Sequence, residues 1–268
     1  MKPIKVILIL LLILLWNRGM AQEQPKGSEI YEMLREMAFA EREQLIYKQF
    51  QSGNFPDFLL DFQEVTSQQM DARGKIRNVT IYVSPQYLSI GTKADHFIIP
   101  MGPKTAQRIA LDLNAYLPTP KVVDMIYNAA DLKLEPFTYI PRANRNETPD
   151  ILYDHSRVIQ AQMRATGYPP ETFVTGHKKD IVISPKLEDK NRPRHVIIYG
   201  WHRLDGNAIQ PESNIHINSY VDYSHGVRLI SSRVLIDGKE YNYEEVLKDD
   251  ILYSLLVDSP QPLLVTRY

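Results

Sequence analysis

Histidine and aspartate recur together three times in the last hundred residues of this 268-residue chain. Each recurrence sets a carboxylate three positions from an imidazole: His177 with Asp180, His202 with Asp205, and Asp222 with His225. Side chains at i and i+3 of a β-strand point to opposite faces, so each pair can meet only where the chain turns. A glycine next to each pair favours such turns: Gly176, Gly206 and Gly226.

The stretch from His216 to Ile230 suits acid–base chemistry. A neutral imidazole can take a proton from water, and a neighbouring carboxylate can orient the ring. We therefore predict that His225 is a general base, that Asp222 orients it, and that His202 is a third catalytic residue. If residues 216–223 form a strand, His216, Tyr220 and Asp222 share one face of it.

The same histidines also suit a metal. Neutral imidazoles and a carboxylate are ligands that Zn²⁺ accepts, and a catalytic zinc keeps one position for water. The predicted ligands are His177, His216 and His225, although their spacing does not match the HExxH motif of zinc proteases. Two alternatives stay open: metal-free acid–base hydrolysis, and polar residues that only make turns and satisfy buried backbone groups.

Cationic and aromatic residues near these histidines are candidates for substrate binding. A lysine or arginine can recognise a carboxylate, and tyrosine or tryptophan can stack against sugars or contact peptides. The predicted set is Lys178, Trp201, Tyr220 and Arg228. A protein that binds glycan or peptide without turnover would use the same side chains.

Two resemblances to known families rest on particular segments. The run Ser224–Leu229, SHGVRL, resembles the SHGC(I/V)RL motif of YkuD-type L,D-transpeptidases, which crosslink peptidoglycan, but the nucleophilic cysteine is missing. The segments GHKKDIVIS, YGWHRLDGNAIQP and YVDYSHGVRLI, with others across residues 55–268, are similar to a family of uncharacterised exported bacterial proteins. That second resemblance implies one unit across residues 135–150 and implies no activity.

The N-terminus predicts export. Residues 1–21 have two lysines, an apolar run from Val6 to Trp16 and a small-x-small end at Gly19-Met20-Ala21, the pattern of a cleaved signal peptide. An uncleaved anchor is the alternative, but eleven apolar residues are too few to span a bilayer. We expect a periplasmic or secreted bacterial protein with no stable membrane anchor after cleavage.

Composition narrows the classes of partner. The whole chain has 31 basic and 32 acidic residues and no cysteine, so disulfides and thiolate chemistry are excluded. Without Lys2, Lys5 and Arg18 of the signal, 28 basic residues face 32 acidic ones. A chain with this charge balance lacks the excess of basic residues that is typical of nucleic-acid-binding proteins. The expected partner is a cell-wall glycan or peptide.

Local patterns predict the elements that would position these residues. Apolar spacing and caps predict helices at 28–50, 105–113, 120–130 and 151–166, and a short helix after Asn242. Strands are predicted at 76–83, 87–90, 96–99, 180–184, 195–201, 216–223, 227–229 and 234–241, the last broken by an Asp237-Gly238 hairpin turn.

Helices lie mainly before residue 166 and strands mainly after it, which predicts an α+β fold with an antiparallel, β-rich C-terminal half. Residues 22–268 are expected to form a single domain with a surface loop at 135–150. The leading function is a cell-envelope hydrolase acting on peptidoglycan or a related glycan or peptide, with a non-catalytic envelope-binding protein as the alternative.

Overall fold

The computed structural model describes residues 24–268, so the predicted signal peptide, residues 1–21, lies outside the described residues. These described residues contain six α-helices and thirteen strands, which form an α+β fold with mainly antiparallel sheets, as predicted. The helices are α1 Gly27–Leu34, α2 Phe39–Gln51, α3 Pro103–Asp112, α4 Pro120–Ala129, α5 Pro149–Thr166 and α6 Tyr243–Lys248. Within residues 24–268, no helix is long and apolar enough to cross a membrane.

The strands form two main sheets and two small pairs. Their bounds are β1 Gln63–Met70, β2 Ile76–Val83, β3 Ser89–Gly91, β4 His96–Ile98, β5 Ala115–Tyr116, β6 Leu132–Lys133, β7 Val174–Thr175, β8 Lys179–Ile181, β9 Ile198–His202, β10 Ala208–Ser213, β11 His225–Gly226, β12 Ile230–Ile236 and β13 Lys239–Asn242. The larger sheet has the order β1-β2-β12-β13, with β5 also paired to β12. The smaller sheet has the order β10-β9-β8-β11.

The larger sheet pairs strands from the N-terminal and the C-terminal parts of the chain. Strand β2 pairs antiparallel with β12, so Ile81 lies opposite Val234. Both residues are fully buried in the main hydrophobic core, which also contains residues from α1 and from the C-terminal segment. Strand β1 was not predicted, because only Val65 of its eight residues is buried and the edge of a sheet gives little hydrophobic pattern.

Several local signals are confirmed. The hydroxyl of Thr119 accepts a hydrogen bond from the backbone N–H of Val122 at 3.2 Å and caps α4. Gly167, with φ of +75°, ends α5. Asp237 and Gly238 have φ of +50° and +81° and connect β12 to β13 as a tight hairpin.

The predicted helix at 28–50 is wrong in one respect, because the chain forms two helices there. The carboxylate of Glu41 accepts a hydrogen bond from the backbone N–H of Ala38 at 3.0 Å. This hydrogen bond satisfies a backbone N–H at the start of α2. It therefore favours the start of a second helix at this point and not the continuation of α1.

The predicted strand at 216–223 is also wrong. The segment is irregular and makes one isolated bridge, between Ile217 and His195. The Asp222 carboxylate accepts hydrogen bonds from the backbone N–H and the hydroxyl of Ser224, at 2.8 and 2.5 Å. Bonds of this local kind compete with pairing to a neighbouring strand and produce a turn. The shared strand face expected for His216, Tyr220 and Asp222 therefore does not exist.

Candidate functional site

Of the three histidine–aspartate pairs, the structure brings only one together. His225 Nε2 lies 4.0 Å from Asp222 Oδ1, across the turn in which the His225 N–H donates to the Asp222 carbonyl. His202 instead contacts Asp124, at 3.0 Å, while Asp205 accepts from the N–H of Asn207 in an exposed turn.

Parallel pairing of β11 with β8 places a lysine beside this pair. His225 lies opposite Lys179, and opposite residues in a sheet project from the same face. Lys179 Nζ is 3.5 Å from Asp222 Oδ2 and 5.0 Å from the centre of the Trp201 ring. We call Lys179, Tyr220, Asp222, Ser224 and His225 the acid–base cluster.

Asp222 is the charged centre of the acid–base cluster. Its carboxylate accepts from both donors of Ser224 and from the Tyr220 hydroxyl, the last at 3.2 Å. Burial alone would raise its pKa, but attraction to His225 and Lys179, with the Ser224 donors, outweighs burial and holds the pKa well below its usual range. Asp222 is therefore ionised at neutral pH.

The His225 ring is neutral and makes no hydrogen bond within residues 24–268. Burial lowers the pKa of His225 to about 4, although the Asp222 charge opposes this shift. Neither ring nitrogen makes a hydrogen bond to another residue of the described chain. A buried polar group without a partner costs free energy and is uncommon, so such a group requires an explanation by function or by bound water.

Trp201, whose ring lies close to the Lys179 ammonium, has an unusual backbone conformation. Its φ is +57°, a region that bulky residues rarely adopt, and its indole N–H is buried without a partner within residues 24–268. Strain of this kind costs about 1–3 kcal/mol and clusters at functional sites.

An open groove of about 440 Å³ lies next to the acid–base cluster. Tyr220 lines it together with Arg42 of α2 and Glu147 of the 135–150 loop. Arg42 and Glu147 make no ion pair within the described chain; the Arg42 guanidinium donates to the Glu147 backbone carbonyl at 3.1 Å. The Tyr220 ring lies 5.9 Å from the ring of His225, which does not itself line the groove.

A second group of buried side chains, which we call the buried ionic cluster, consists of Tyr87, Lys178, Asp180 and Arg228. The Tyr87 hydroxyl donates to Asp180 at 2.8 Å, and its ring packs where Gly226 leaves room for it. Arg228 donates to the Ser84 and Val174 carbonyls, both at 2.7 Å, with its guanidinium over the Tyr87 ring.

The predicted substrate-binding residues lie mainly inside the protein. Lys178 and Arg228 are fully buried, and Trp201 is 5% exposed. Lys178 Nζ donates to the Tyr223 carbonyl at 2.6 Å, and burial lowers the pKa of its ammonium to about 7. Tyr220 is half-buried and is the one member of the predicted set that lines the groove.

The three predicted zinc ligands do not converge on one point, and each contacts different residues. His177 packs edge-on against Tyr87, His216 stacks on Tyr220 at 4.0 Å, and His225 belongs to the acid–base cluster. In the described part of the chain, no group of three or more His, Asp or Glu residues is arranged to hold a metal ion.

Predicted catalytic residue His202 lies elsewhere in the fold. Its ring stacks on Tyr127 of α4 and bonds to Asp124, which also accepts from Tyr199. None of these three partners belongs to the acid–base cluster. Sequence reasoning did not find Asp124, which lies 78 residues from His202, nor did it place Lys179, Arg42 or Glu147 at a site.

No protein-family model matches this chain, and neither the curated proteins nor the solved structures provide a match. The resemblances to exported bacterial proteins and to YkuD-type L,D-transpeptidases therefore stay predictions.

The buried histidines make stability depend on pH. Burial lowers the pKa of His177 to about 3 and of His225 to about 4, and that of His155 falls well below its usual value. An unfolded histidine has a pKa of about 6.5, so below that pH the unfolded chain binds protons that these folded rings do not. Burial raises the pKa of Asp180 to about 6, which opposes the effect by about one proton.

We therefore expect stability to fall as pH drops from 7 to 5. Near pH 5 the unfolded chain binds more protons than the folded one, and each proton of difference contributes about 1.4 kcal/mol per pH unit. Urea unfolding at several pH values measures how steeply the free energy of unfolding changes with pH. His177→Phe removes one titrating ring and should reduce that slope by about 1.4 kcal/mol per pH unit. A free energy of unfolding that stays constant between pH 7 and pH 5 would contradict the assignment of neutral buried rings.

Proposed function

We propose that this protein is an exported hydrolase that cleaves an amide bond in a peptidoglycan stem peptide or a related envelope peptide. The observation that carries the proposal is a neutral His225 ring, without a hydrogen bond in the described part of the chain, beside the ionised Asp222 and the Lys179 ammonium. Most glycosidases use two carboxyl groups that flank the scissile bond, whereas the acid–base cluster has one carboxylate, an imidazole and an ammonium, which suit the general base and the oxyanion partner of amide hydrolysis. Amide hydrolysis is therefore the better match.

In the proposed reaction, His225 takes a proton from a water molecule as the water oxygen bonds to the amide carbon. The Lys179 ammonium, 3.5 Å from Asp222, stabilises the negative charge that develops on the carbonyl oxygen. Asp222 stabilises the imidazolium. When the C–N bond breaks, the imidazolium returns its proton to the leaving amine, and the products are a carboxylic acid and an amine.

Access to His225 requires a movement of Tyr220. The His225 ring is fully buried and does not line the groove, whereas Tyr220, whose ring is 5.9 Å away, does. Tyr220 is half-buried; its hydroxyl donates a 3.2 Å hydrogen bond to Asp222, and its ring stacks on His216. A substrate in the groove would displace this ring and bring its amide group to the acid–base cluster.

The charges of the groove support a peptide as substrate. A peptidoglycan stem carries both free carboxylates and a free amine, and the groove offers the Arg42 guanidinium and the Glu147 carboxylate without ion-pair partners in the described chain. The same groove supports the second candidate, a protein that binds envelope peptides without cleaving them.

One experiment separates these candidates. Purified protein is incubated with peptidoglycan sacculi and with defined stem peptides, and both retention and released products are measured. New amine and carboxyl termini support the hydrolase. Retention with no product supports the binding protein, and neither retention nor product contradicts both.

Arg42→Gln should weaken substrate binding more than it affects chemistry. Because Arg42 lines the groove and not the acid–base cluster, we expect KM for a stem peptide to rise about tenfold while kcat changes little, as for loss of one charged hydrogen bond. Lys48→Gln, at an exposed position of the same helix, is the matched control. Equal KM values for the two variants would remove Arg42 from the site.

A further inference from the structure

A second cavity lies apart from the groove, between α5, β4 and the turns at residues 93–94 and 168–170. Its volume is about 250 Å³. Ile98, Ile159 and Met163 give it an apolar floor; all three are buried and belong to a hydrophobic cluster separate from the main core. Since liquid water occupies about 30 Å³ per molecule, this volume holds a ligand body of roughly eight to ten heavy atoms.

The cavity wall is preformed by hydrogen bonds that use its polar side chains. The Gln160 amide donates to the His96 carbonyl at 2.5 Å, and the Gln86 amide donates to the Pro170 carbonyl. The His96 ring nitrogen Nδ1 is 3.2 Å from the Lys93 carbonyl, and a carbonyl only accepts, so Nδ1 carries the proton. A fixed wall lowers the cost of ordering on ligand binding.

The charged residues of the lining are both cationic. Among the described residues that line the cavity, Lys93 and Arg164 are charged and none is acidic. Lys93 has one half-exposed ion pair, to Glu171 at 3.5 Å, and Arg164 makes none within residues 24–268. An apolar floor under two cations is complementary to an organic anion with an apolar body.

We propose that this cavity binds a small apolar carboxylate, such as a fatty acid of about eight carbons. The chain lies on Ile98, Ile159 and Met163, and the carboxylate contacts Arg164 and Lys93. This inference is independent of the hydrolase proposal, because the cavity and the acid–base cluster share no residue.

The test uses calorimetry on the purified protein with three probes: octanoate, octylamine and acetate. Octanoate should bind, while octylamine lacks the negative charge and acetate lacks the chain, so both should bind at least tenfold more weakly. Arg164→Gln should weaken octanoate binding at least tenfold, whereas Arg157→Gln, at an exposed position of the same helix, should leave it unchanged.

A second variant tests the location without disturbing the core. Ala94 is exposed and lines the cavity, so Ala94→Trp should block its mouth and abolish octanoate binding while the fold is retained. The proposal is overturned if octanoate does not bind at millimolar concentration. It is also overturned if the three probes bind alike, or if Ala94→Trp and Arg164→Gln both bind octanoate as the wild type does.

Discussion

Replacing His225 with glutamine is expected to lower turnover of a stem peptide by about 10²-fold or more, the usual contribution of a general base. Glutamine has a similar volume but cannot take the proton. Because the His225 ring makes no hydrogen bond in the described chain, its replacement orphans no partner. The free energy of unfolding should therefore change by less than about 1.5 kcal/mol.

The comparison requires two readouts on each variant, kcat/KM for the peptide and urea unfolding. His195→Gln is the matched control, since His195 is half-buried and lies outside both clusters; it should keep activity within about twofold. A His225→Gln protein that is folded and fully active would show that the ring has no catalytic role. A protein that loses its fold would assign the ring to structure.

Replacing Arg228 is expected to have the largest effect on the free energy of unfolding. Arg228→Met would orphan the Ser84 and Val174 carbonyls and remove the cation that faces buried Asp180. Breaking a buried charged arrangement of this kind costs about 3–5 kcal/mol. Urea unfolding at pH 7 measures the change.

Arg233→Met provides the control for the Arg228 variant. Arg233 lies five residues further along the chain and pairs with Glu240 at 2.7 Å, but both side chains are about half or more exposed. Surface pairs contribute about 1 kcal/mol or less. If both variants were destabilised equally, the buried hydrogen bonds of Arg228 would contribute no more to stability than an exposed ion pair does.

The structural features that were predicted correctly from the sequence are those determined by residues adjacent in the chain. The Thr119 cap, the Gly167 end of α5 and the Asp237-Gly238 turn are each determined by a few adjacent residues, and each is confirmed. The 216–223 strand was wrong for a related reason: its alternation suits a strand, but the Asp222 side chain bonds locally to Ser224 and turns the chain.

The site was predictable only in part. Asp222 and His225 are close in sequence, so their pairing could be expected. Lys179 reaches them through the parallel pairing of β8 with β11, and Arg42 and Glu147 reach the groove through packing of α2 against the 135–150 loop. Such contacts depend on the tertiary fold, and no local pattern reveals them. Arg228 looked available for binding because sequence alone does not show burial.

The most direct test of the proposed hydrolase is digestion of a defined stem peptide in water enriched in ¹⁸O, followed by mass spectrometry of the products. The account predicts two fragments, with one ¹⁸O incorporated into the new carboxyl group, and it predicts their loss in the folded His225→Gln variant. An intact peptide after prolonged incubation with folded, peptide-binding protein would contradict hydrolysis. That outcome would leave the groove as a binding site for envelope peptides.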